Sequence, residues 1–227
     1  MQETFGLRVR PMAESESFFL MPMVGAGADG YLLLVSKMHY HSMAELPAAQ
    51  FEELEALLGI VRPEMEKSFG RPIILEHGST CNNLSCLIDH AHLHIVSVPA
   101  GFSLREDIEK DHHLVKLREF RDLSLWMTGG MGRAFYEFED GLRHDGYDPE
   151  REGFAGYLYY EEQDGTGYVH QLVSIRGFQP QYLRMVLLAK LGRREWDWKR
   201  NIDQGQVDET VRRLGHLREI FGRRRPN

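Results

Sequence analysis

The sequence predicts an α+β fold built on an antiparallel sheet, and three observations point to it. Short apolar runs suited to β-strands, such as residues 31–35, are bounded by glycines or prolines. The first two of these runs are joined by a glycine-rich turn, for which antiparallel pairing is the simplest connection. Asp164-Gly165 lies between two aromatic and β-branched runs, a pattern typical of a hairpin.

The first half of the chain predicts the order strand, strand, helix, strand, strand. The helical segment carries apolar residues at helical spacing, and Pro63 is expected to kink or end it. A loop over residues 77–83 is predicted between the last two strands. The predicted elements are residues 17–22, 31–35, about 45–65, 73–76 and a final strand that ends by Pro99.

The second half predicts an extension with a hairpin and two helices. Residues 104–120 have the spacing of a charged amphipathic helix, and the glycines of 128–132 form a plausible boundary. We therefore divide the chain into a first domain over 1–127 and an extension packed on it over 128–227. The two final helices are expected at about 180–191 and 207–220.

Composition excludes several classes of protein. The 227 residues carry a formal net charge of −7, which argues against a general nucleic-acid-binding surface. No segment approaches the ~20 apolar residues that span a bilayer, and the first ten residues do not form a secretory signal. With only Cys81 and Cys86, a disulfide scaffold is not expected. We therefore expect a soluble cytoplasmic protein that makes no contact with membranes.

Three of the 11 histidines alternate along one short apolar run: His90, His92 and His94. Residues two apart on a strand share a face, so these three side chains, here called the histidine row, are expected to point the same way. Such a row can bind a metal, hold an anion, or offer a nucleophile with neighbours that donate hydrogen bonds.

The run His90-Ala91-His92-Leu93-His94-Ile95-Val96 resembles the signature of the histidine-triad superfamily, in which three histidines alternate with apolar residues. Upstream, residues 30–39 are similar to that family's strand ending in a lysine and then a histidine, here Lys37 and His39. Residues 42–46 before the helix and residues 76–78 continue the resemblance. It covers about residues 18–99 and implies a sheet of about five strands with flanking helices.

The resemblance implies a hydrolase or transferase acting at the α-phosphate of a nucleotide conjugate. His92 would attack the phosphorus and become nucleotidylated, because a neutral imidazole is a good nucleophile near pH 7. His90 and His94 would orient it and neutralise phosphoryl charge, and His39 would approach the same site. No metal or other cofactor is then required. The partners implied are a nucleotide or nucleotide-conjugate substrate and a second copy of the chain in a homodimer.

The substrate itself is left open. It would be a dinucleoside polyphosphate, a nucleoside phosphoramidate or a similar conjugate, and transfer to phosphate or a sugar phosphate is the nearest alternative to hydrolysis. Many relatives hold the ribose through an acid on the first strand, whereas residues 18–23 contain none. Ser85 and Glu76 are the candidates for substrate contacts near the histidine row.

In the extension, Gln181 and Arg184 are three apart, so they share a face of the predicted helix and could reach a phosphate or leaving group. Trp196 and Trp198 are expected to be core or interface residues. The main rival function is a metal site made by the histidine row with His77, Cys81 and Cys86, although the cysteine spacing is not that of a zinc site. A non-catalytic nucleotide-binding module is the second alternative.

Overall fold

The computed structural model describes residues 11–79, 90–127, 156–172 and 178–222, with the backbone alone for 125–127. Ser85, Cys81, Cys86 and the glycines of 128–132 lie outside these ranges. Among the described residues no helix is both long enough and apolar enough to cross a membrane.

The described strands join in one antiparallel sheet. In chain order they are β1 (Ala13–Glu14), β2 (Phe18–Pro22), β3 (Tyr31–Ser36), β4 (Pro72–Ser79), β5 (His92–Ser97), β6 (Val115–Lys116), β7 (Gly156–Glu161) and β8 (Gly167–Leu172). Across the sheet the order is β1-β2-β3-β5-β4-β7-β8-β6. The strand that carries the histidine row therefore lies between β3 and β4, near the middle of the sheet.

The predicted fold class is confirmed, with a larger sheet than the five or so strands expected. The hairpin of β7 and β8 does not form a separate layer, because β7 pairs along the whole free edge of β4, from Ile74–Glu161 to Ser79–Gly156. The same pairing extends β4 through His77 to Ser79, where the sequence predicts a loop.

The helices lie on both faces of the sheet. They are a 3₁₀ turn (Met43–Glu45), α1 (Ala48–Ser68), α2 (Arg105–Ile108), α3 (Asp122–Met127), α4 (Tyr182–Lys190), α5 (Gln204–Leu214) and α6 (Leu217–Gly222). The last predicted helix is therefore two helices, divided at Gly215 and His216. Leu93 and Ile95 of β5 share one core with α1, whereas Val96 and Leu75 share the core on the other face with α4.

Pro63 is predicted to kink or end the helix, and it does not end α1, which continues to Ser68. Proline in a helix interior costs about 3 kcal/mol, since it removes one backbone hydrogen bond. The helix continues because its apolar stripe is buried on both sides of the proline, by Val61 before it and Met65 after it. Burying a methionine side chain alone returns about 1.5–3 kcal/mol.

The prediction of an amphipathic helix over residues 104–120 is wrong. Only one turn forms, Arg105–Ile108, after which Val115 and Lys116 pair with β8. The apolar residues that suggested a helix are nevertheless buried: Leu104, Ile108 and Leu114 lie in the core on the histidine face. These residues are apolar because the segment packs on the sheet, and their helical spacing does not correspond to a helix.

Candidate functional site

The sheet brings two members of the histidine row to one cavity. His92 and His94 point to the same face of β5, opposite Val35 and Leu33 of β3. They line a cavity of about 70 Å³, which has room for several water molecules. The lining residues are Met23, Tyr31, Leu33, Leu75, His77, His92, His94, Gln181, Tyr182, Leu183, Arg184 and Trp198.

One hydrogen bond fixes which nitrogen of His92 carries its proton. Nδ1 of His92 lies 2.6 Å from the carbonyl oxygen of His90. A carbonyl oxygen can only accept, so Nδ1 must donate its hydrogen. In the neutral imidazole the other nitrogen, Nε2, then holds an unshared electron pair. His92 is thus held in the tautomer that a nucleophile requires.

The imidazoles around the cavity are neutral near pH 7. Burial lowers the pKa of His92 below its usual 6.5, more than the hydrogen bond to His90 raises it. Burial, and then the charges of His92 and Arg184, lower the pKa of His94 well below 6.5. Burial lowers the pKa of His77 to about 4. The rings of His92 and His94 are 4.8 Å apart, a separation at which two imidazolium ions would repel each other.

His90 does not line the cavity. It precedes β5, and its Nε2 donates to the carbonyl oxygen of Ser36 at 2.6 Å, which ties the start of β5 to the end of β3. The ring of His39 packs edge-on against His90 at 5.2 Å and against His41 at 5.0 Å. The structure therefore places His39 beside the first histidine of the row, and His90 positions His92 through its backbone carbonyl.

His94 is held by a residue that the sequence analysis did not select. Its Nδ1 lies 2.9 Å from the hydroxyl of Tyr31, which is buried at the start of β3. Tyr31 begins an apolar run, so in the sequence it resembles a residue of the hydrophobic core. Its pairing with Val96 puts it on the histidine face, and a strand register would have been needed to find it.

Replacing Tyr31 by phenylalanine should slow any reaction at His92 by about fivefold, because His94 loses the hydrogen bond that orients its ring, a loss of roughly 1 kcal/mol. Tyr168→Phe is the matched control, since Tyr168 lies on β8 and its hydroxyl accepts from Arg105. Single-turnover rates of the two variants give the comparison. Equal rates for Tyr31→Phe and wild type would contradict a role for Tyr31 in positioning His94.

The extension contributes to the same cavity. Gln181 and Arg184 line it from the start of α4, together with Tyr182 and Leu183. Trp198 lies on its wall, and Trp196 offers its carbonyl oxygen to Nε of Arg184 at 2.7 Å. The expected proximity of Gln181 and Arg184 to the histidine row is therefore seen.

Glu76 is not brought to the cavity, so the substrate contact expected for it needs correction. Its side chain alternates with those of Leu75 and His77 and points to the opposite face of the sheet. There it is only 1% exposed, accepts from the backbone N–H of Met43 at 2.7 Å, and accepts from the hydroxyl of Tyr157 at 2.6 Å. Glu76 holds the 3₁₀ turn that follows the His39 segment.

The substrate contact expected of Ser85 and the alternative metal site with Cys81 and Cys86 both involve residues that the structure does not describe. Ser85 lies outside the described ranges, as do Cys81 and Cys86. Within those ranges no cluster of three or more His, Cys, Asp or Glu side chains is arranged to hold a metal ion. His77 contacts Phe178 edge-on, with ring centroids 5.1 Å apart.

Comparison with known proteins gives structural similarity only. No protein-family model and no curated protein matches the sequence. Three solved structures are similar: a Hit-like protein involved in cell-cycle regulation from Bartonella henselae, a hypothetical histidine triad nucleotide-binding protein from Sulfolobus tokodaii, and yeast Ap4A phosphorylase. The chain is similar to histidine-triad proteins.

The extent of similarity differs among the three histidine-triad structures. The Bartonella protein is 14% identical with a TM-score of 0.35, over 43% of this chain and 72% of its own. The Sulfolobus protein has the same identity and TM-score, over 63% of this chain and 94% of its own. The yeast enzyme is 16% identical with a TM-score of 0.37, over 68% of this chain and 57% of its own.

Proposed function

We propose that this protein is an enzyme that hydrolyses or transfers at the α-phosphate of a nucleotide conjugate, with His92 as the nucleophile. The observation that carries the proposal is the hydrogen bond from Nδ1 of His92 to the His90 carbonyl oxygen, which leaves the Nε2 electron pair available. A second support is the lowered pKa of His92, which burial keeps below 6.5. The nucleophile is then already unprotonated at neutral pH.

The reaction proceeds in two displacements at one phosphorus. Nε2 of His92 attacks the α-phosphorus, a P–N bond forms, and the bond from phosphorus to the leaving group breaks. In a polyphosphate this is a P–O bond whose electron pair stays on oxygen; in a phosphoramidate it is a P–N bond, and the departing nitrogen takes up a proton from solvent to leave as an amine. The imidazole becomes a phosphorylated imidazolium, whose Nδ1–H remains bonded to the His90 carbonyl oxygen. An acceptor oxygen then attacks the same phosphorus, the P–N bond breaks and returns its electron pair to Nε2, and the acceptor's proton passes to solvent.

The acceptor distinguishes the two enzymatic alternatives. Water gives a hydrolase, and phosphate or a sugar phosphate gives a phosphorylase or nucleotidyltransferase. Dinucleoside polyphosphates, nucleoside phosphoramidates and similar conjugates all present an α-phosphorus to the same nitrogen. The mechanism requires no cofactor, because imidazole N–H groups, backbone donors and Arg184 can meet the phosphoryl charge.

The test is covalent labelling of the protein by a panel of nucleotides. Each nucleotide is mixed with the protein, the reaction is quenched in base to preserve a phosphoramidate bond, and the intact mass is measured. One added nucleotide per chain that maps to His92, with and without EDTA, is expected. A label on another residue would overturn the mechanism, and no label or turnover with any nucleotide would point to the binding module instead. Loss of label in EDTA would favour the metal site.

The labelling rate should depend on pH in one direction. Because the pKa of His92 lies below 6.5, more than half of the imidazole is unprotonated at pH 6.5, so the rate should rise by less than about twofold above that pH and fall at lower pH as Nε2 takes up a proton. Single-turnover labelling by a dinucleoside polyphosphate measures this without a titrating terminal phosphate. If the rate, as the pH is lowered, falls to half of its plateau value at a pH above 6.5, the assignment of an unprotonated, buried His92 is contradicted.

We also propose, from the resemblance alone, that the enzyme is a homodimer. Light scattering coupled to size-exclusion chromatography measures this directly, with twice the chain mass of 26.3 kDa expected. A mass of one chain at micromolar concentration would contradict it.

A further inference from the structure

Arg184 places a positive charge in the cavity without a negative partner. The side chain is 4% exposed, and its Nε and Nη2 donate to the backbone carbonyl oxygens of Trp196 and Gly25. Both acceptors are neutral, and no Asp or Glu of the described ranges lies within 4 Å of the guanidinium. A buried cation without an anion is costly, so proteins rarely retain one without a use for it.

The third nitrogen of the guanidinium is buried and makes no hydrogen bond of ordinary geometry, although the guanidinium interacts with the Tyr31 hydroxyl and opposes the rise in its pKa. This nitrogen is Nη1. Oε1 of Gln181, the residue just before α4, is likewise buried without a hydrogen-bond partner. Gln181 adopts the left-handed backbone conformation, with φ of 59°, a strained position for a residue other than glycine. An amide group can rotate to present either its oxygen or its N–H, so both side chains can serve one polar ligand.

The lining of the cavity fixes the charge of that ligand. Among the described lining residues Arg184 is the only one with a formal charge at neutral pH, and none is Asp or Glu. The three histidines that share the lining have lowered pKa values and are neutral. An anion entering the cavity therefore meets a cation and N–H donors and no opposing carboxylate.

The guanidinium lies beyond His94 as seen from the nucleophile. The rings of His92 and His94 are 4.8 Å apart, those of His94 and Tyr31 are 5.7 Å apart, and Arg184 stands 5.5 Å over the Tyr31 ring. In the register of β3 with β5, Leu33 lies opposite His94 and Tyr31 opposite Val96, so Tyr31 lies beyond His94 along the strands. The charge of Arg184 is one of the causes that lower the pKa of His94. We therefore expect Arg184 to meet a phosphoryl group next to the one that Nε2 attacks.

The position of Arg184 depends on a close contact between two loops. Gly25 has φ of 66°, and a Cβ atom there would lie 2.1 Å from the carbonyl oxygen of Trp198. Only glycine permits this approach, which brings the Gly25 carbonyl to one side of the guanidinium and the Trp196 carbonyl to another. The two carbonyls hold Arg184 in place, and Nη1 is left buried as the one nitrogen without an acceptor.

We propose that Arg184, assisted by Gln181, is a binding subsite for the phosphate of the leaving group, and that it selects nucleoside polyphosphates over phosphoramidates. This inference rests on the proposed function. In a polyphosphate the breaking P–O bond leaves its electron pair on a phosphate oxygen, and the guanidinium stabilises that charge. In a nucleoside phosphoramidate the leaving group is an amine, which gains nothing from a cation.

The test compares two substrates with the same base in single-turnover labelling of the full chain. Arg184→Met should slow labelling by a dinucleoside tetraphosphate by about 100-fold and labelling by the nucleoside 5′-phosphoramidate by less than threefold. Arg184→Lys, which keeps the charge, should recover about tenfold with the tetraphosphate. Arg200→Met is the matched control, because its side chain is 76% exposed and paired with Asp197. Equal losses with both substrates, or no loss with the tetraphosphate, would overturn the proposal.

A second measurement separates this proposal from the proposed function and from misfolding. Inorganic pyrophosphate should raise the unfolding temperature of wild type, His92→Ala and Arg200→Met, and should not raise that of Arg184→Met. If no nucleotide labels wild type, the proposed function fails and this binding assay still decides the subsite. If Arg184→Met does not fold, Arg184→Lys and Gln181→Leu decide it, with weaker pyrophosphate binding expected in both. Pyrophosphate binding unchanged in these variants would overturn the subsite.

Discussion

His92→Ala should abolish covalent labelling and reduce turnover by about 10⁴-fold or more. The variant removes the only atom of the site that is proposed to bond to phosphorus, and losses of this size are typical when a covalent nucleophile is removed. A factor of 10⁴ corresponds to about 5 kcal/mol of transition-state stabilisation. Residual activity would come from binding by Arg184 and from His94.

The matched control is His216→Ala. Its ring is also hydrogen-bonded, to Glu64 at 2.9 Å, but the side chain is 47% exposed on the opposite side of the protein core, next to α1. Labelling and turnover of His216→Ala should equal those of wild type within a factor of two. Thermal unfolding of both variants excludes a general loss of structure. Full turnover by His92→Ala would contradict the covalent mechanism.

Glu76→Ala should lower the free energy of unfolding by about 3–5 kcal/mol at pH 6. The truncation leaves the N–H of Met43 and the hydroxyl of Tyr157 buried without an acceptor, and each unsatisfied group costs about 1–3 kcal/mol. That is a large share of the ~5–15 kcal/mol by which a domain is stable. Urea unfolding followed by tryptophan fluorescence gives the value.

The control for this prediction is Glu66→Ala, in α1, whose exposed carboxylate pairs with Arg71 at 3.1 Å. An exposed ion pair contributes little, so the change should stay below about 1 kcal/mol. A loss of less than 1 kcal/mol for Glu76→Ala would show that the buried network does not hold the 3₁₀ turn.

Glu76 also makes stability depend on pH. Burial raises the pKa of Glu76 from 4.5 to about 7, more than its hydrogen bonds to Tyr157 and Met43 lower it. The folded state therefore binds the proton more tightly, and the stability that this contributes is complete below pH 4.5 and lost as pH rises to 7. Glu76→Gln lacks this titration.

The comparison with Glu76→Gln has a defined size. The free energy of unfolding of wild type, relative to Glu76→Gln, should fall by about 2.4 kcal/mol between pH 5 and pH 7.5, with a slope that approaches about 1.4 kcal/mol per pH unit midway between the two pKa values. The titrations of His77 and His170 are common to both proteins and cancel in the difference. A constant difference across this range would show that Glu76 is ionised throughout.

The histidine row and its strand could be predicted from the sequence because alternation is a local property. His90, His92 and His94 share a spacing of two, and only a strand places such residues on one face. The separate roles of the three histidines could not be predicted from the spacing. They depend on the hydrogen bond of His92 Nδ1 and on the position of His90, which precedes β5 and lies outside the cavity.

The residues that the sequence analysis missed or misplaced depend on contacts between distant segments. Tyr31 reaches His94 only through the pairing of β3 with β5, and Glu76 lies on the far face because its neighbour Leu75 pairs with His94. Residues 104–120 have helical spacing but form one turn, since Val115 and Lys116 pair with β8. Gln181 and Arg184 were found because they are close in sequence at the start of one predicted helix, although Gln181 precedes α4 in the structure.

The most direct test of the account is to identify the atom of His92 that carries the nucleotide. Protein containing ¹⁵N-histidine is labelled by a nucleotide of the panel, kept in base, and examined for ¹⁵N–³¹P coupling by NMR. The account predicts one phosphoramidate per chain, at Nε2 of His92, with Nδ1 still protonated. Coupling to Nδ1 of His92, or to either nitrogen of His90 or His94, would contradict it.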